Sequence, residues 1–172
     1  GICGERLAWR LDTNGTLTIS GMGTMNNYKY NTAPWYGLRD KINEIVIQDG
    51  VTAIGEYAFY GFSALTQVTI GRDVTYIGNS AFSTTSTTTE ITDIYISDIA
   101  AWCTITFGST PLDEYTNLHL NGEIVTELVI PDGVTSIGEH VFFRCTSLTS
   151  VTIPGSVTSI GYSTFSGCKG LT

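Results

Sequence analysis

Val157-Thr158-Ser159-Ile160-Gly161, with Phe165 four residues beyond it, decides how this chain is read. The phrase returns as Val51-Thr52-Ala53-Ile54-Gly55 before Phe59, as Val74-Thr75-Tyr76-Ile77-Gly78 before Phe82, and as Val134-Thr135-Ser136-Ile137-Gly138 before Phe142. Self-similarity at a period of roughly 20 to 50 residues marks a solenoid, because one such unit cannot bury its apolar face alone and must stack on its neighbours. Upstream in the same unit, Leu148-Thr149-Ser150-Val151-Thr152-Ile153 places Val151 and Ile153 on one side of a strand and Ser150 and Thr152 on the other. Pro154-Gly155 ends that strand, the repeated phrase is a second extended piece, and its glycine supplies a turn that a side chain would obstruct. Tyr162 to Cys168 is expected to return as a short helical or 3₁₀ segment with Phe165 in the core.

The phrase also works as a ruler. Ile47 to Ile70 and Ile130 to Ile153 are each 23 residues apart, whereas Ile70 to Ile96 is 26, the excess falling in the all-hydroxyl stretch 83–89, an exposed loop insert or a glycosylation target. Ile96 to Ile130 is 34, so an irregular island at 97–123 replaces one ordinary coil. In it, Ser97 or Asp98 caps a helical turn through Cys103, Thr104 to Phe107 alternates like a strand, and Asn121-Gly122 marks a tight hairpin.

Residues 1–42 lack the phrase and read as a capping region: a β-hairpin around Asp12-Thr13-Asn14-Gly15, then an aromatic-rich loop. Residues 43–172 form the solenoid, with the island inside it and an incomplete last repeat. That last repeat is expected to mean either a piece of a longer array or an uncapped end open to end-to-end association.

Composition removes several classes. Eight Lys plus Arg against 16 Asp plus Glu give a formal charge of -8, with no basic stripe for nucleic acid. No run of 18 apolar residues suggests membrane insertion, and Gly1 to Arg6 has none of the basic and apolar regions of a signal peptide, so this reads as a soluble piece, mature or trimmed. Cys3, Cys103, Cys145 and Cys168 show no metal-ligand spacing. Cys145 and Cys168 occupy one repeat position and are either a buried thiol column or a bridge between coils.

Stacking lines up equivalent positions. One outward column is expected to run Glu44, Gln67, Asp93, Glu127, Ser150, and its neighbour Val46, Thr69, Tyr95, Val129, Thr152. Glu44, Gln67, Asp93, Tyr95 and Glu127 make a candidate binding ladder, an acidic stripe suited to a basic protein patch or a cation, or else a solvated face that keeps the array in solution. Tyr28, Tyr30, Trp35 and Tyr36 are a candidate aromatic platform for a sugar ring, or the lid that closes an open core.

Catalysis finds little footing. An open ladder leaves its carboxylates in water, without the closed pocket that separates the pKa values of an acid pair. His119 and His140 have no acidic or cysteine company at ligand spacing and no nucleophile partner, Trp102 reads as core, and the glycines follow the repeat instead of a phosphate loop. No catalytic residue, cofactor or metal is expected.

The pattern Leu-Thr-x-Val-x-Ile-Pro-x-x-Val-Thr-x-Ile-Gly-x-x-x-Phe-x-x-Cys over 148–168 resembles the BspA-like bacterial leucine-rich repeat proteins. The likeness extends to Cys3-Gly4-Glu5-Arg6-Leu7-Ala8-Trp9, to Ala33-Pro34-Trp35-Tyr36 and to the island around Ala101-Trp102-Cys103, and departs where Phe62 replaces the usual Cys. It implies a mainly β, right-handed repeat solenoid of short strands on secreted or surface-anchored bacterial proteins, associated with adhesion. The expected function is a non-enzymatic extracellular or cell-surface interaction module whose partner is a host, matrix or bacterial surface protein. The alternatives are a carbohydrate-binding module using the N-terminal aromatics, with a glycan as partner, and an architectural spacer of a larger surface protein.

Overall fold

The structure is a computed structural model that describes residues 1–84 and 91–172. Most of the hydroxyl stretch at 83–89 therefore lies outside the described residues.

β1 (Ile2–Gly4) and β2 (Leu7–Leu11) run antiparallel into β3 (Thr16–Gly21), and β2 and β3 form the expected hairpin. Asp12 fixes its turn by accepting from the Asn14 and Thr16 amides at 2.8 and 3.0 Å. β3 then pairs in parallel with the next coil, so the hairpin's second strand is already the first rung of the ladder. The coils follow in order. They are β3 with β4 (Gly23–Thr24), β5 (Glu44–Ile47) with β6 (Val51–Ile54), and β7 (Gln67–Ile70) with β8 (Tyr76–Ile77). After them comes β9 (Asp93–Ile96) with α1 (Ile99–Cys103) and β10 (Thr106–Phe107). β11 (Asn117–Leu120) and β12 (Glu123–Ile124) make a hairpin, followed by β13 (Glu127–Val129) with β14 (Ser136–Ile137) and β15 (Ser150–Thr152) with β16 (Ser159–Ile160).

The longer sheet runs β1-β2-β3-β5-β7-β9-β11-β12, and the shorter one β10-β8-β6-β4. Alternation sets the faces. Leu17, Ile45, Val68, Ile94 and Leu118 form one buried inward column, while Glu44, Gln67 and Asp93 point out. Burying each such aliphatic side chain contributes roughly 1.5–3 kcal/mol, and no coil can do so without its neighbours.

The third side of each coil carries the repeated Phe. It is built as consecutive turns whose amide groups bond to the next coil instead of closing a helix. Tyr57, Phe59 and Gly61 donate to the carbonyls of Asn79, Ala81 and Ser83, and His140, Phe142 and Arg144 to those of Tyr162, Thr164 and Ser166. Tyr57, Ser80, His140 and Ser163, two residues after each phrase glycine, all have left-handed φ between 53° and 60°. Behind these turns Trp35, Phe59 and Phe82 stack at 5.3 and 5.2 Å, and Phe142 and Phe165 at 5.5 Å.

The phrase glycines open the expected turn, Ala58 N donating to Gly55 O and Ala81 N to Gly78 O, but what would obstruct a side chain there is the neighbouring coil and not the turn itself. Gly55, Gly78, Gly138 and Gly161 are not left-handed. They lie against another segment's backbone: a Cβ would sit 1.9 Å from the Asn26 carbonyl oxygen at Gly55, 2.6 Å from Glu56 N at Gly78, and 2.4 Å from Glu139 N at Gly161.

The island turns out to contain a regular rung. β11 continues the ladder in register with β9, Asn117 beside Asp93 and His119 beside Tyr95. Asp98 caps α1 by accepting from the Ala101 amide at 3.0 Å. After the hairpin the sheets restart: among the described residues β13 pairs only with β15, and β14 only with β16. The core nevertheless crosses the break, because Trp102, 1% exposed, donates from Nε1 to the Val141 carbonyl at 2.9 Å and Gly138 N donates to Cys103 at 2.7 Å. At the far end Ile153 and Ile160 are 40% and 49% exposed.

Candidate interaction face

Parallel register across five rungs brings Thr16, Glu44, Gln67, Asp93 and Asn117 into one outward column. Thr18, Val46, Thr69, Tyr95 and His119 form the next. Glu44, Gln67, Asp93 and Tyr95 thus share one face. Glu127 does not join them: it lies on β13 in a different sheet, and Asn117 holds the place beside Asp93. Val129, Ser150 and Thr152 leave the columns with it. The cause is the hairpin, which inserts a returning strand where the period alone would set the next rung.

The stripe is also less free in charge than its composition suggests. Glu44 Oε2 accepts from the Thr16 hydroxyl at 2.6 Å. Asp93 Oδ1 lies 2.7 Å from His119 Nε2 and accepts from Asn117 Nδ2 at 3.4 Å, while Oδ2 accepts from the Thr92 hydroxyl at 2.7 Å. Burial pushes the Asp93 carboxyl up, but the hydrogen bonds from Thr92, His119 and Asn117 outweigh it and hold the group below the usual carboxylate range. A carboxylate can only accept, so the short contact puts a proton on His119 Nε2. His119 is 8% exposed, its ring stacks on Tyr95 at 4.5 Å, and its Nδ1 is buried without a hydrogen-bond partner among the described residues.

His119, set aside in the sequence for want of acidic company at ligand spacing, meets Asp93 in space 26 residues away. The signal was there: Asn117-Leu118-His119-Leu120 repeats the alternation of Asp93-Ile94-Tyr95-Ile96. Beside the columns, a shallow groove of about 450 Å³ runs along Val46, Thr69 and Tyr95 and is edged by Asp49 and Ser97. Asp49 is bound by Arg72 of the next coil at 2.6 Å, and that guanidinium lowers its pKa.

The aromatic platform is taken apart by packing. Trp35 is fully buried, donates from Nε1 to the Ala58 carbonyl at 2.7 Å, and meets Trp9 and Tyr28 edge-on at 5.8 Å each. Tyr28 is half-buried with its hydroxyl 3.3 Å from the Cys3 carbonyl, and burial pushes its pKa up to about 12. Tyr36 lies under Arg39 at 4.4 Å, and Tyr30 packs on Tyr60 at 5.0 Å. Trp9, Tyr28 and Trp35 close the end of the core, which leaves the Trp35 indole no open face for a sugar ring, while Tyr30 stays exposed.

All four cysteines are buried free thiols. Burial pushes Cys103 and Cys145 up to about 12 and Cys3 up to about 11, and Cys168 Sγ donates to the Phe142 carbonyl at 3.1 Å. Among the described residues no group of three or more His, Cys, Asp or Glu side chains is placed to hold a metal ion, and no helix is long and apolar enough to cross a membrane.

Stacked units of about 23 residues, with parallel strands, an inward aliphatic column and a stacked Phe column, define a leucine-rich repeat solenoid. The chain belongs to the BspA type leucine rich repeat region family, which matches it in six copies over residues 35–116 and 120–172. The match is to a repeat family, with no catalytic family indicated. No curated protein matches the chain. Among solved structures, a leucine-rich repeat protein from Eubacterium ventriosum is 20% identical, with 99% of this chain and 70% of that chain covered at a TM-score of 0.46. A leucine rich cell surface protein from Faecalibacterium prausnitzii is 22% identical, covering 99% and 53% at 0.42. One from Bacteroides ovatus is 25% identical, covering 99% and 45% at 0.40. The chain thus spans about half the length of the last two.

Proposed function

We propose that this chain is a non-enzymatic interaction module that presents the outer face of its longer sheet to a protein partner, outside or on the surface of a bacterium. The observation that carries the reading is the in-register face, on which the Glu44 and Gln67 column stands beside Val46, Thr69 and Tyr95, which floor a groove edged by Asp49 and Ser97. Aromatic and apolar area with a polar rim is the surface that protein partners use, and parallel rungs hold it without an ordering cost on binding. Family membership supports the surface location. Buried Trp35 removes the main support for a carbohydrate module.

The test is binding of the purified chain to an array of bacterial surface and host matrix proteins, repeated with Tyr95→Ala and with Glu44→Lys. Loss of at least tenfold in affinity for a captured protein, with unchanged thermal melting, supports the reading. Unchanged binding by both variants overturns it.

A further inference from the structure

The break in the sheets has a mouth. β12 ends the longer sheet, β13 begins another, and the two strands, joined by the corner Val125–Thr126, are not paired with each other. Between them lies a notch of about 230 Å³ lined by Leu120, Glu123, Ile124, Val125, Thr126 and Glu127.

Both walls present unused main-chain groups. In the hairpin, Val125 N donates to Leu118 O, so by antiparallel alternation the N–H and C=O of Ile124 point away from β11. On β13, the Thr126 carbonyl accepts from Thr149 and Ser150, and Ile130 N donates to Thr152. Alternation then aims the amide and carbonyl groups of Glu127 and Val129 away from β15, toward the break. An exposed strand edge of this kind is a template for another strand.

The side chains around it define what that strand must carry. Ile124 and Val129, one on each wall, are 44% and 63% exposed and offer aliphatic surface beside the free main-chain groups. Glu123 and Glu127 stand on the two walls, both exposed, and neither makes an ion pair among the described residues, so the notch carries two carboxylates available to a cationic side chain.

We propose that the notch between β12 and β13 is a binding site for an extended peptide segment of a partner protein. The segment adds to the free edge of β13 by main-chain hydrogen bonds, sets an apolar side chain against Ile124 and Val129, and places Lys or Arg beside Glu123 and Glu127. This site adjoins the end of the outer-face ladder, where Ile124 pairs with His119, but its free main-chain edge belongs to β13, outside that sheet.

The probe is a fluorescent eight-residue peptide of alternating Lys and Val, titrated by anisotropy against the full chain. Two comparators are used, one with alternate backbone nitrogens methylated and one with Glu in place of Lys. The site predicts saturable binding of the Lys peptide and at least tenfold weaker binding of both comparators. Val129→Pro removes an amide proton that points away from β15, so thermal melting stays unchanged while peptide affinity falls at least tenfold. If that variant melts early, Glu127→Lys serves in its place, with weaker binding of the Lys peptide and stronger binding of the Glu peptide. Glu44→Lys and Tyr95→Ala, on the ladder, leave peptide affinity within twofold, so the two readings fail independently. Absence of binding, or binding indifferent to methylation and to Val129→Pro, overturns the proposal, the latter by exposing simple attraction to a chain of charge -8.

Discussion

Replacing Gly78 with Ala tests what the repeated glycine does. The added Cβ would lie 2.6 Å from Glu56 N and 2.9 Å from Glu56 Cα and Gly55 C, all backbone atoms of the preceding coil. Ordinary contact starts near 3.4 Å, so the two coils must part locally by about 0.8 Å. No side chain can swing away to relieve this. The bonds that stretch are Gly78 N to Ile54 O at 2.9 Å and Tyr57 N to Asn79 O at 3.1 Å. Overpacking of about 1–3 kcal/mol plus about 1 kcal/mol of weakened hydrogen bonding gives about 2–4 kcal/mol. For a chain of this size that lowers Tm by roughly 5–15 °C. The control is Gly155→Ala, where no atom lies within 4 Å of the added Cβ and φ is not left-handed. It should leave Tm unchanged or raise it slightly, through a less flexible unfolded chain. Thermal and urea melts by far-UV circular dichroism measure both. Equal melting of the two variants would refute coil-to-coil contact as the reason for the glycine.

Three further outcomes are expected. Because the folded Asp93 carboxyl is held below the usual range, its stabilisation is complete above that range and lost as pH falls through the folded value; Asp93→Asn should lower stability at neutral pH and flatten the acid limb below about pH 4 in urea melts. Burial and raised pKa values make all four thiols inert, so a thiol-specific reagent at pH 8 should label none of them quickly in the native chain and all of them in urea, and rapid native labelling of Cys145 would contradict the packing. Phe59→Ala, which empties a fully buried site between Trp35 and Phe82, should cost about 3–5 kcal/mol, and Phe165→Ala, at a half-buried position, distinctly less by the same melts.

By itself the sequence determined the repeat, its period, the inward columns and the family. All of these follow from local alternation multiplied by stacking: Ile45 and Ile47 face in wherever the strand sits, and Val68 and Ile70 must do the same one period later. It located the irregularities too, because a break in period is visible without coordinates. What it could not decide was which residues meet across the coils. His119 reaches Asp93 only because β11 enters the ladder in register, and Glu127 leaves the column only because the Asn121-Gly122 hairpin turns the chain back before it. Trp35, an open aromatic by composition, is buried because Trp9, Tyr28 and Phe59 converge on it from three separate segments. The repeated glycine needed coordinates for the same reason, since its neighbour is backbone 22 residues away at Glu56. Periodicity fixes direction, inward or outward, as a local property of the strand. Contact depends on register between strands, and register is set by the whole stack.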